Sequence, residues 1–129
     1  MIDDEGLPKL GRSARMLGIR LGAQGDVAVD DQGLVHPNGG GMSVTPDDPY
    51  RMAPWRLPLT LGGEGVDPAW ALDAALLPAA LRYKIDVPER HGLIEPARTM
   101  LLTDYETALE STRTLWMQVF ALSLEMKRC

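Results

Sequence analysis

Few residues in this chain can carry chemistry, and they fall in short groups. The two histidines are His36 and His91. His36 opens the run His36-Pro-Asn-Gly-Gly-Gly-Met-Ser43, whose three successive glycines permit positive φ and close backbone approach to a ligand. Ser43 then offers a hydroxyl to a phosphate or ribose oxygen. The same run also reads as a flexible turn between strands. His91 and Glu95 lie four apart in an extended segment, so they share a face and can form an acid–base or polarising pair. The plainer reading is a strand-edge histidine beside a solvated carboxylate. Tyr50, Arg51, Trp55 and Arg56 sit on a proline-stiffened stretch. There a ring and a guanidinium can stack on and neutralise a nucleotide, or the ring can fold the loop onto the core. Arg15 and Arg20 can each hold an anion bidentately. Five apart on an extended segment, they face opposite sides, so at most one points into any given cleft.

Other chemistries are excluded. There is no phosphate-binding Gly-x-x-x-x-Gly-Lys loop, no paired-histidine zinc signature and no Gly-x-Ser-x-Gly elbow. A single cysteine, Cys129, forbids an intrachain disulfide, and one Cys with two His makes a poor metal cage. Thirteen Lys and Arg against eighteen Asp and Glu give a net charge of −5, the wrong field for general nucleic-acid or anionic-membrane binding. No run of about eighteen apolar residues spans a bilayer. The acidic opening Met1-Ile-Asp-Asp-Glu5 is unlike a secretory leader. The expectation is a cytoplasmic protein.

These residues need a scaffold, and the 129 residues suit a single domain, 1–129. All thirteen glycines and ten prolines lie at or before Pro96. Because both residues punctuate helices, the chain divides into a turn-rich β body, 1–100, and an uninterrupted C-terminal helix, 103–127. Thr103-Asp-Tyr-Glu106 fits a capping box. Tyr105, Leu109, Thr112, Trp116, Val119, Phe120 and Leu124 recur at helical steps as one apolar stripe. From Trp116 to Leu124 the helix is apolar nearly all round. Residues 117–126 are therefore expected to bury against a second chain, either a copy or a neutralising partner.

The body reads as short strands between turns: Arg15–Leu21, Asp26–Val29, Gly33–His36, Gly41–Val44, Trp70–Leu72, Leu81–Ile85 and His91–Glu95. Asp73 can cap a short helix at Ala74–Leu77. Pro46 to Gly65 carries four prolines and three glycines and reads as a long irregular excursion, which in compact domains is usually functional. The fold class is α+β, with small, mostly antiparallel sheets and one long C-terminal helix.

Gly41-Met-Ser-Val44 before a proline-rich loop, then His91-Gly-Leu-Ile-Glu-Pro96, Arg98-Thr-Met100, Tyr105 and Trp116, resembles a toxin family. It is the group of type VI secretion effector toxins with an ADP-ribosyltransferase-like fold. The resemblance covers about residues 33–118. It implies an NAD-binding cleft between two small sheets, bacterial cytotoxicity, and neutralisation by an immunity (antitoxin) protein. By position Ser43 and His91 correspond to the family's serine and histidine, while Met42 stands where that run has threonine. Arg15 or Arg20 would hold the phosphates, the glycine turn at Gly41 would supply backbone donors, and Tyr50 or Trp55 would stack on the nicotinamide. Glu95 has no counterpart in that family and stays a catalytic candidate only through its position on one face with His91. The expected function is thus a toxin-like ADP-ribosyltransferase domain acting on NAD or a nucleotide-containing target. The alternatives are a non-catalytic interaction module docking through the apolar terminal helix, and a small hydrolase unrelated to NAD.

Overall fold

The structure is a computed structural model that describes residues 1–120. Among these residues the fold is α+β, built from small antiparallel sheets and one α-helix. In chain order the elements are β1 (Asp3–Asp4), β2 (Leu7–Pro8), β3 (Leu34–Val35), β4 (Met42–Val44), β5 (Trp70–Ala71), β6 (Leu81–Val87), β7 (His91–Pro96), β8 (Met100–Leu101), α1 (Leu102–Ser111) and β9 (Met117–Gln118). The largest sheet has three strands in the order β4-β7-β6. Three two-stranded ladders join β1 to β2, β3 to β8 and β5 to β9.

The β6–β7 hairpin follows from alternation. Leu81 and Ile94 point into the core, whereas Arg82 and Glu95 stand opposite each other on the other face. The turn between them places Glu89 at φ 65 and returns Arg90 N–H to Val87 O at 3.0 Å. The register slips between Ile85 and Val87, so Val87 pairs with His91. On the far side of β7, Met42 pairs with Ile94 and Ser43 with Leu93. Met42 is buried and Ser43 exposed, the period of two expected of a strand.

The core gathers Leu17, Ile19, Val35, Met42, Ile94, Tyr105, Leu109 and Trp116. Tyr105 is fully buried, and its hydroxyl serves both central strands, donating to Ile94 O at 2.6 Å and accepting from Met42 N–H at 3.1 Å. Burial pushes its phenol above the ordinary value. A smaller cluster of Leu57, Leu61 and Ala69, with Met52 and Val119 against it, folds the long loop onto itself. That loop holds 3₁₀ turns at Pro49–Arg51 and Leu59–Leu61.

Two expectations are corrected. The helix is ten residues long, not a span of 103–127, and its stripe is buried only through Tyr105, Leu109 and Thr112, with Trp116 following in the core. The hydroxyls of Ser111 and Thr112 donate to the carbonyls of Ala108 and Leu109, taking acceptors the helical ladder would use. A 3₁₀ turn at Arg113–Leu115 follows, and Met117–Gln118 then pairs with Trp70–Ala71. The rest of the expected helix, from residue 121, lies outside the described residues. The capping box is also absent. Leu101 is the N-cap, Leu102 N–H donates to Gly33 O at 2.9 Å, and Glu106 grips Arg12 through two bonds of 2.7 Å. The second correction concerns two expected strands: Asp26–Val29 keeps only an isolated Val27–Gly40 bridge, and Arg15–Leu21 forms no strand. Gly18 sits at φ 150 with the backbone of Gly11 against it, and only a Leu10–Leu17 bridge remains. Leu17 and Ile19 still reach the core. Asp73 does cap a turn, Ala74–Leu76, by accepting from Ala75 N–H.

Candidate functional site

One cleft of about 920 Å³ opens beside the central sheet. Ser43 reaches it from the β4 edge, and Arg90 and His91 reach it from the β6–β7 turn. Arg51 and Arg56 come from the long loop, and Arg20 from the segment that precedes Asp26. Trp70, Tyr83 and Trp116 supply aromatic wall. Its carboxylates are Asp26, Asp47 and Asp73. Residues far apart in sequence therefore converge because β4 is paired to β7 and the loop folds back across Ala69.

The sequence candidates divide on this geometry. Ser43, His91 and Arg20 line the cleft together. Arg15 does not, and its guanidinium is engaged by Asp67 through bonds of 2.8 and 2.9 Å. That pairing holds the Asp67 carboxyl below its ordinary value. Arg20 is also paired, donating to Asp26 Oδ1 at 3.0 Å while its own N–H meets Oδ2 at 2.7 Å. Arg51, Arg56 and Arg90 have no ion-pair partner among the described residues. They are the cations that a ligand in the cleft would meet.

Glu95 lies outside the cleft. Its side chain has no exposure, accepts from Arg82 Nε at 2.9 Å, and accepts from Asn38 N–H at 2.9 Å. Lys84 in turn donates to Asn38 Oδ1 at 2.8 Å. The carboxylate thus fastens the glycine turn to the sheet, a positioning duty that the strand pattern did not reveal. Gly41 contributes by absence of a side chain. A Cβ there would fall 2.5 Å from Ile94 O and 2.9 Å from Glu95 Cα. Tyr50 and Trp55 are exposed, Trp55 by 69%, and neither lines the cleft.

His91 is oriented by Asp86, whose Oδ1 lies 2.6 Å from Nδ1. Desolvation acts to raise the Asp86 carboxyl, but the bond to His91, its charge and a backbone N–H together hold it below the ordinary value. With Nδ1 engaged by a carboxylate, Nε2 is the ring nitrogen left for a ligand. Arg90, Tyr83 and Trp70 join the site without any motif in the sequence to mark them. Only the adjacency of Arg90 to His91 in the hairpin turn carried a local signal; the two aromatic rings arrive through long-range pairing. No protein-family model matches the chain, and neither a curated protein nor a solved structure matches it.

Proposed function

We propose that the cleft binds a nucleotide-type anion, NAD or a nucleotide-containing target, and that the protein is a bacterial toxin-like domain of the ADP-ribosyltransferase-like kind. One observation supports this most: Ser43, His91 and Arg20 share a single cleft with Arg51, Arg56 and Arg90. The volume, about 920 Å³, is within the range of small-molecule sites. Arg51, Arg56 and Arg90, without an ion-pair partner among the described residues, suit phosphate oxygens, and Trp70 and Tyr83 suit a flat ring. His91, held by Asp86, is the group for proton transfer, and Ser43 a hydroxyl donor. Glu95 takes no part in this reading, so any carboxylate near the ribose must be Asp26, Asp47 or Asp73. The immunity protein implied by the sequence resemblance would act by blocking this cleft.

Calorimetric titration of the purified protein with NAD and with ADP tests the reading. Saturable binding is expected, and losing a charged hydrogen bond in Arg51→Ala or Arg90→Ala should weaken it roughly 10- to 100-fold. No heat from either ligand, or binding indifferent to both variants, overturns it.

A second reading, an interaction module, has one observation in its favour. Met117 and Phe120, at the start of the segment expected to dock, are 73% and 63% exposed. The contact would be made by an extended strand end and not by a helix face; residues 121–126 lie outside the described residues. Sedimentation decides: an oligomer that Phe120→Asp converts to folded monomers supports it, and a monomer at high concentration refutes self-association.

A further inference from the structure

Away from the cleft, the β3–β8 ladder places a histidine between a carboxylate and a hydroxyl. Val35 pairs with Met100, so the next step along the ladder sets His36 opposite Thr99. His36 Nδ1 lies 2.9 Å from Thr99 Oγ1, and His36 Nε2 lies 2.8 Å from Asp30 Oδ2. A carboxylate can only accept, so Nε2 carries the proton it shares with Asp30. In the neutral ring Nδ1 is then the acceptor of the Thr99 hydroxyl. Asp30 is itself fixed, because its Oδ1 accepts from both Gln32 N–H and Leu34 N–H at 2.9 Å. These backbone donors, Leu34 first, and the His36 bond keep its carboxyl below the ordinary value. Nucleophile, base and orienting carboxylate stand in the order that activates a hydroxyl.

We propose that Thr99 is a nucleophile that accepts an acyl group from an activated ester or thioester, with His36 as its base and Asp30 as the positioning residue for His36. Thr99 is exposed and neither it nor His36 lines the cleft, so the acyl donor reaches it from solvent and the site is independent of nucleotide binding. Thr99 Oγ1 attacks the acyl carbonyl as its proton passes to His36 Nδ1. Collapse of the tetrahedral intermediate breaks the bond to the leaving oxygen or sulfur, which departs with that proton. An O-acyl threonine remains, and water can later hydrolyse it with His36 again as base.

The test uses p-nitrophenyl acetate and peptide mass spectrometry on the purified protein. Expected is a burst of one equivalent of nitrophenol, ahead of any slower hydrolytic release, with acetyl mapped to Thr99. His36→Gln should slow labelling about 100-fold or more, the usual worth of a general base. Asp30→Asn, which keeps an acceptor for the backbone donors, should slow it as well, and Thr99→Ser should keep it. A merely structural cross-strand pair would give no acetyl on residue 99, and that result overturns the proposal. Labelling of residue 99 at an unchanged rate in His36→Gln overturns it too.

Discussion

A single hydroxyl closes the centre of the molecule. Tyr105 Oη bonds the backbone of β4 and of β7 at the very pair, Met42 and Ile94, that the ladder brings opposite. Tyr105→Phe leaves a buried N–H and a buried C=O each short of a partner, and should cost about 1–3 kcal/mol in urea melts. Glu95 works by comparable means on the opposite face of β7. Glu95→Gln keeps an acceptor for Asn38 N–H but weakens the grip on Arg82, which is half exposed and can turn to water. A loss of about 1–2 kcal/mol with unchanged NAD titration is expected. A large fall in NAD affinity at unchanged stability would return Glu95 to the ligand site. Both roles were hidden in the sequence, where Tyr105 is one member of an apolar stripe and Glu95 an acid near a histidine. What each touches lies 11 to 63 residues away.

At the level of elements, local chemistry was readable and its competition with distant pairing was not. The β6–β7 hairpin is visible in the alternation of Leu81–Ile85 and in the turn at Val87–Arg90, and the cap at Asp73 in its residue type. The stop at Ser111 is not visible, because unbroken helical periodicity runs past it. It depends on two hydroxyls bonding back to carbonyls three residues earlier, and on a strand partner at Trp70–Ala71. Arg15–Leu21 shows the reverse: its apolar positions Leu17 and Ile19 are buried as in a strand, but Gly18 turns the chain. Trp116, just past the turn, is 8% exposed and donates from Nε1 to Thr112 Oγ1 at 3.0 Å. Trp116→Ala should therefore cost about 3–5 kcal/mol. A loss below about 1 kcal/mol in denaturant melts would mean the stripe is not packed there.

Over the whole molecule, ion pairs stitch segments that no local pattern connects. Arg15 holds Asp67 across 52 residues, and Arg113 holds Asp4 across 109. The folded Asp67 carboxyl titrates below the ordinary 3.8, so it stabilises the fold above that pH, and the contribution is lost as pH falls through the lower folded value. Asp30 and Asp86 add in the same direction. Urea midpoints should fall between about pH 5 and pH 3, and Asp67→Asn should flatten that dependence. A flat profile in the unsubstituted protein would remove the pairing from the account. The late ladders also have a consequence for biosynthesis. β3 waits for β8, β5 waits for β9, and Pro8 O waits for Arg113 Nε. A nascent chain halted near residue 100 has neither the far strands nor Tyr105 to close around. Until residues 100–118 arrive it carries an open apolar interior within reach of chaperones and proteases.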